Sequence, residues 1–575
     1  MIYAAGLLGC TLAFSDCAAV EAEYAACLQA ASPLPPPPPP PSPVSTPCFS
    51  APAPDAHLLQ GTANKIKYSV SRKDDSNSTT PCIVLVDPVP SLVNDAGTGV
   101  TNDVNTLAMP GKTVIGAAAD GAARVVLQIF AASVGDTLTL SVQPSPGDTQ
   151  SPVNGLTQPL GQLQTILAAD GSQSGSQIAL TAVSTSQGPM AFAQYFPPKD
   201  FSRGGSDDSA ASRSVVIQAT STGVGGSCQQ TLTIVRPPLV EVHGLWTDSH
   251  VWGVFEPQLP QGLGLWVYRV NYSYSLNGAI SASIPSYGSF YLNRSTTSAL
   301  GFEFNVPVVN DQIRNKIAAF KSWNQVAVVQ ADVIGHSMGG NVMRANNNNS
   351  LAVDWSTFQS GAVNKLMTIG TPHLGTPLAS ALINDPASCV RNALAFAKNL
   401  SFQTVTIGGI SQSGAVGDLE GDGLNAYNAS MAIFNYQTTN NGHPVPTAMI
   451  AAQMDPAVNG SGLSVGAFAR NAVGTFCGLA EDPLAQYFTA QGWTTMLGGL
   501  PNDGLVPVNS ELNGLSGEPV VMDTVHSEGL LKIGFNGPDE LQSGQVVTDV
   551  IQLLNAPSGS TCSAGSCASP FYTLP

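Results

Sequence analysis

Across residues 66–234 apolar and polar side chains alternate in short stretches, most clearly at 124–130, 137–142, 177–180, 214–218 and 231–235. A period of two puts successive side chains on opposite faces, as in a strand with one face buried. Clusters rich in Gly, Asp and Ser separate the stretches, so this part of the chain predicts an antiparallel β-sandwich. After Pro237-Pro238 the texture changes to compact apolar runs at 239–242, 266–270, 365–369, 447–452 and 520–522. Such runs suit strands of a parallel sheet covered on both faces. Ile313, Ile317 and Phe320 recur at helical spacing within 311–323. Strand and helix alternate from there on, which predicts a doubly wound, mostly parallel α/β sheet.

The stretch at 326–340, VAVVQADVIGHSMGG, combines an apolar run, read as one buried strand, with a sharp Gly335-His336-Ser337-Met338-Gly339 turn. A turn from strand to helix that tight needs glycines beside the serine, and it lifts the hydroxyl clear of the sheet edge. Ser337 is therefore the candidate nucleophile. In a chain with 57 glycines the five-residue pattern alone has little weight. A second copy at 462–466, with Ser464 at its centre, follows a loop-like segment and lacks the preceding strand. The run at 239–242 ends in His243-Gly244-Leu245-Trp246, where a glycine lets backbone N–H groups turn inward, so Leu245 is a candidate oxyanion donor.

A serine nucleophile needs a base within reach and an acid that orients the base. Only His373, His443 and His526 follow Ser337. His373 comes too early to leave room for an acid, and His443 precedes a strand. His526 follows the run at 520–522 and is the base by elimination. Asp503, in the turn sequence Asn502-Asp503-Gly504, is the candidate acid, with Asp455 as its rival; Asp523 is too near His526 in sequence.

The segments HGLW, GHSMGG, IGTPHLGTP and NDGLVPVNS, in this order and ahead of a late histidine, resemble the α/β-hydrolase superfamily, and within it the secreted bacterial lipases and esterases. The resemblance covers roughly residues 237–555 and is carried by the ordered combination. It implies a Ser337, Asp503 and His526 triad with Leu245 and Met338 as backbone donors to an oxyanion, and hydrolysis of carboxylic esters or lipids through an acyl-enzyme. Polyester hydrolysis, acyl transfer, and a non-catalytic surface binding or adhesion role are the competing readings. No cofactor and no metal ligand set is expected. The alternating region resembles an immunoglobulin-like accessory domain.

The layout expected is a signal or lipoprotein-like segment with a proline-rich linker at 1–60, the β-sandwich at 61–236, the α/β domain at 237–557 and a cysteine-containing tail at 558–575. A cap or lid insertion is expected at about 379–444. The first residues are apolar, and no Lys or Arg appears before Lys65. They read as an export segment with an incomplete start, and Cys10 is a candidate site for a lipid anchor. The proline run at 35–41 reads as a stiff spacer. A net charge of -17 argues against nucleic acid or anionic membrane as the natural partner. Oligomeric state is not legible. The ten cysteines lack the spacing of zinc or redox motifs and suit disulfides, with Cys389–Cys477 and Cys562–Cys567 as candidate pairs by region. Phe192, Tyr195, Phe196 and Phe201, around Pro197-Pro198, read as packing residues in preference to a binding platform.

Overall fold

A computed structural model of the chain describes residues 82–572, apart from 153–155, 157, 224–225, 274–296, 347–353, 386, 390, 393–404, 408–409, 413, 422–444, 455–494, 500, 516–517, 528–537 and 559–569. The chain divides between Asp55 and Ala56, and everything described lies in the second unit, Ala56–Pro575. The expected anchor at Cys10 and the candidate pair Cys562–Cys567 lie outside the described residues.

Two β-sheets form the N-terminal half. One runs in the order Lys112–Thr113, Ile83–Asp87, Val125–Phe130, Gly188–Phe196, Gln162–Thr165, Ser174–Gly175, with Val183–Thr185 also paired to Gly188–Phe196. The other runs Val326–Ala327, Gly116–Ala118, Ser227–Val235, Ser212–Ser221, Thr137–Pro144, Gln177–Thr181. Leu85, Val125, Leu127 and Tyr195 from the first sheet meet Leu140, Ile217, Leu232 and Ile234 from the second in one buried core. The alternate residues Val126, Met190 and Phe192 enter a second core on the outer face of the first sheet. The aromatic residues singled out in the sequence therefore divide between the two faces of one strand, with Phe192 on one side and Tyr195 on the other. Cys82 and Cys228 form a disulfide between the two sheets that the sequence did not reveal. Cys389 is also disulfide-bonded, and its candidate partner Cys477 lies outside the described residues.

Among the described residues the second half is built on six parallel strands: β1 (Leu239–Val242), β2 (Val267–Val270), β3 (Ala331–His336), β4 (Val363–Ile369), β5 (Thr447–Gln453) and β6 (Val520–Met522). Their spatial order is β2-β1-β3-β4-β5-β6. Helices α1 (Phe302–Asn324) and α2 (Met338–Asn346) share a core with Val240, Val242 and Val333. Leu239, Ile334 and Met367 face the other way, onto Val546, Val550 and Leu553 of α4 (Gly544–Asn555); α3 (Pro377–Asn384) precedes it in the chain. Both faces of the sheet are thus covered, which is why its strands read as unbroken apolar runs. Of the insertion expected at 379–444, the described residues are 379–385, 387–389, 391–392, 405–407, 410–412 and 414–421, which include most of α3, a hairpin of Val405–Ile407 with Ile410–Gln412, and a helical turn at Ala415–Asp418. The remainder lies outside the described residues. Among the described residues no helix is long and apolar enough to cross a membrane.

The apolar run before the elbow is not one strand. Val326–Ala327 pairs in parallel with Gly116–Ala117 and extends the second sheet of the N-terminal half. Strand β3 begins only at Ala331. Between them the buried Asp120 carboxylate accepts the N–H groups of Val329 (2.9 Å) and Gln330 (3.2 Å), so the backbone crosses from one sheet to the other with its donors satisfied. Lys365 of β4 reinforces the junction, its Nζ 3.0 Å from the Asp200 carboxylate.

Candidate active site

The strand order reverses beside β1: the chain goes from β1 out to β2 on one side, then returns to β3 on the other. Crevices at the carboxyl ends of strands, where the order reverses, are where open α/β sheets bind ligands. Leu245 follows β1 and Ser337 follows β3, one on each side of that crevice.

Ser337 holds a left-handed backbone, φ 54°, which an L-residue adopts only when its surroundings impose it. Neighbouring glycines allow this by close approach. A Cβ on Gly335 would lie 2.6 Å from the Gly340 nitrogen, and one on Gly339 would lie 2.6 Å from the His243 carbonyl oxygen. The Ser337 N–H donates to the Ile369 carbonyl at 2.9 Å, tying the elbow to β4. The serine hydroxyl lies 2.8 Å from His526 Nε2, and His526 Nδ1 lies 2.5 Å from Asp503 Oδ2. Asp503 is wholly buried in a turn in which its Oδ1 accepts from Leu505 N (2.8 Å) and Val506 N (2.7 Å). One carboxylate oxygen holds the turn and the other the imidazole. The His526 N–H donates to the Asp503 carbonyl at 3.0 Å, which fixes the loop beyond β6. Nδ1 is the donor to Asp503 and Nε2 the acceptor facing the hydroxyl, the tautomer a base needs.

The turn after β1 is held from beneath. His243 is fully buried and stacked on Tyr272, ring centroids 4.1 Å apart and 6° from parallel. Its Nε2 accepts from Tyr272 N at 3.3 Å, so Nδ1 carries the proton that donates to the Gly244 carbonyl at 2.9 Å. Burial keeps the ring neutral by pulling its pKa down to about 4. The Thr247 hydroxyl donates to the same carbonyl at 3.0 Å. The Gly244 carbonyl and the Leu245 N–H share one planar trans peptide and point to opposite sides of it, so pinning one aims the other. A Cβ on Gly244 would fall 3.2 Å from the Ser337 hydroxyl, which measures how closely this turn passes the serine. Met338 opens α2, so its N–H has no carbonyl partner within the helix. Both candidate donors therefore border the serine.

The other sequence candidates fall elsewhere. His373 is buried with Nδ1 2.7 Å from Arg344 Nη1 and Nε2 3.0 Å from the Thr368 hydroxyl. Asp523 is exposed. His443, Asp455 and Ser464 lie outside the described residues.

Three buried groups at the site were not singled out in the sequence. His336 stacks on His526, centroids 5.1 Å apart, and its Nε2 lies 3.0 Å from Glu540 Oε2. Glu540 also comes within 3.5 Å of His526 Nδ1. Glu511 accepts from Ala452 N at 2.8 Å. Burial, with the nearby charge of Asp503, holds the pKa values of Glu511 and Glu540 well above the usual carboxylate range. Asp503, Glu511 and Glu540 offer oxygens within 4.8 Å of one another, as do ligand atoms of His336, His526 and Glu540. A cation at either place would have to displace hydrogen bonds already made by Asp503 or His526. The histidine within GHSMGG was the one available sequence signal; the glutamates sit in segments that read as ordinary loop or helix-turn acids.

A covered parallel sheet, with a serine on a strained strand-to-helix turn after its third strand, is the fold of the α/β-hydrolase superfamily. Residues 293–418 match the family model of the PGAP1-like alpha/beta domain. Similar solved structures include the phospholipase PlaB from Legionella pneumophila (15% identity, TM-score 0.31, covering 56% of this chain and 60% of that one). A second is a putative lipase, lip1, from Acinetobacter baumannii AYE (12% identity, TM-score 0.23, covering 60% and 91%). A third is the lin2722 gene product of Listeria innocua (11% identity, TM-score 0.24, covering 55% and 92%). The chain thus spans less than two thirds of the length of the phospholipase. No curated protein matches the sequence.

Proposed function

We propose that this chain is a serine carboxylic-ester hydrolase of the lipase or esterase type. Ser337 Oγ attacks the ester carbonyl carbon while His526 Nε2 takes the hydroxyl proton, and Asp503 stabilises the imidazolium that forms. The oxyanion is received by the N–H groups of Leu245 and Met338; one such donor contributes roughly 3 kcal/mol of transition-state stabilisation. The imidazolium then gives its proton to the departing alcohol, leaving an acyl-serine. Water, deprotonated by His526, attacks the acyl carbon and restores the serine. The observation that carries this reading is the unbroken line from hydroxyl to imidazole to carboxylate, at 2.8 and 2.5 Å. Ser337→Ala should abolish turnover of a p-nitrophenyl ester at unchanged thermal stability. Retained turnover would end the proposal.

The substrate class we propose is a lipid or other carboxylic ester. The N-terminal sheets serve as an immunoglobulin-like accessory domain, a reading supported by two facing sheets joined by Cys82–Cys228. Residues 61–236 and 237–557 are the domains of this scheme, with Val326–Ala327 lent by the second to the first. Export, with the protein secreted or anchored at the outer surface through Cys10, completes the proposal and agrees with disulfide use.

A further inference from the structure

Behind His526 lie three carboxyl groups where one suffices. Asp503, Glu511 and Glu540 are all buried, and their oxygens approach within 4.8 Å of one another. Like charges that close, away from water, are not all carried at once. The donors decide which group keeps its charge. Asp503 receives three, the N–H groups of Leu505 and Val506 and the His526 Nδ1–H. Glu511 receives one, from Ala452. Glu540 Oε2 is hydrogen-bonded to His336 Nε2 at 3.0 Å and lies 3.5 Å from His526 Nδ1 without a hydrogen bond to it, and its Oε1 has no hydrogen-bond partner among the described residues. Asp503 therefore has the most donors of the three, and burial together with the nearby Asp503 raises the Glu540 pKa well above the usual carboxylate range.

The placement of Glu540 is specific. A Cβ at Gly370, φ +56°, would lie 2.6 Å from the Glu540 carboxyl carbon, so the turn after β4 leaves room for this side chain only because it has none of its own. The Glu540 N–H donates to the Val525 carbonyl at 2.9 Å, one residue before His526. The groups facing Glu540 are His336, His526, Asp503 and Glu511, with Asp539 beside it in the chain.

We infer that Glu540 is a reserve acid for the His526 imidazole, a positioning residue that stands 3.5 Å from Nδ1 while Asp503 holds the Nδ1–H, and that takes over when the Asp503 carboxylate is removed. The inference rests on the hydrolase reading above. Removing Asp503 deletes a negative charge that opposes Glu540 ionisation and frees the Nδ1–H from its present acceptor. The proton Glu540 loses goes to solvent, and the carboxylate left behind accepts the Nδ1–H.

The test is a double-mutant cycle in the full chain, with kcat and KM for a soluble p-nitrophenyl ester measured against pH. Asp503→Ala should lower kcat about 10²-fold, where loss of every acid costs about 10⁴-fold. Its activity should rise with pH through a range where the parent protein is flat, because the working group is now Glu540 and must ionise first. Glu540→Gln alone should lower kcat several-fold. The double variant should fall to the level reached without any acid and lose the added pH dependence. Asp503→Asn should be worse than Asp503→Ala, since the carboxamide stays in place, donates toward Nδ1 and bars Glu540. If Asp503→Ala fails to fold, Asp503→Ser leaves a hydroxyl for the Leu505 or Val506 N–H and replaces it in the cycle. Equal activity of the Asp503→Ala single and double variants, or an Asp503→Ala pH profile matching the parent, would overturn the inference. Ser337→Ala is run alongside: retained activity there would remove the hydrolase reading itself, a separate failure.

Discussion

Gly339→Ala sets two effects of known size against each other. Gly339 lies in the first turn of α2, and alanine in place of glycine inside a helix gains about 1 kcal/mol. Against this, the added Cβ would press on the Val242 carbonyl oxygen and sit 2.6 Å from the His243 carbonyl oxygen. Ordinary contact near 3.4 Å requires the two backbones to part by at least about 0.8 Å. Neither partner is a flexible side chain, so the strain falls on the helix and on the turn after β1. Overpacking of this kind costs about 1–3 kcal/mol, more than the propensity gain, and net destabilisation of up to about 2 kcal/mol is expected. The displaced atoms belong to the elbow and to the turn that presents Leu245. A shift near 1 Å at such a site costs about 10²-fold in rate. Thermal unfolding and kcat on a p-nitrophenyl ester measure both effects. A variant that is more stable than its parent and turns over ester at the parental rate would refute the close-approach argument and leave helix propensity as the whole effect.

His243→Ala removes the donor that pins the Gly244 carbonyl, so kcat should fall about 10²-fold with little change in KM, the signature of a misdirected oxyanion donor. His243 also ties stability to acidity. Its folded pKa of about 4 lies below the ordinary 6.5, so the unfolded chain takes up a proton that the folded site refuses. Stability from this group should therefore be full above about 6.5 and decline as pH falls toward 4, and the decline should be weaker in His243→Ala. Replacing Cys82 and Cys228 with alanine opens a bridge spanning 146 residues, for which chain entropy alone predicts a loss of about 5 kcal/mol. A fall of about 2–5 kcal/mol in denaturant unfolding is expected, and no change would mean that the two sheets hold their register without the bridge.

What the sequence disclosed depends on how local the signal is. The elbow, the turn at Asn502-Asp503-Gly504 and the late histidine each carry a local mark, and their order along the chain brought Ser337, Asp503 and His526 forward together. Strand positions were legible from periodicity for the same reason. Strand partners were not: Val326–Ala327 and Ala331–His336 form one apolar run, and only Asp120, two hundred residues earlier in the chain, separates them. Cys82 and Cys228 lie on different sheets, so no spacing rule joins them. Glu511 and Glu540 look like solvated acids because burial is a property of the packed whole. The histidine inside GHSMGG precedes the serine, outside the order in which a base is expected, and it stacks on His526 and bonds to Glu540.

The most direct measurement of the central claim is covalent. The full chain should react with a fluorophosphonate, and peptide mass spectrometry should find the adduct on Ser337. His526→Ala should slow that labelling by orders of magnitude at unchanged fold. Labelling at another serine, or equal labelling of the His526→Ala variant, would contradict the account.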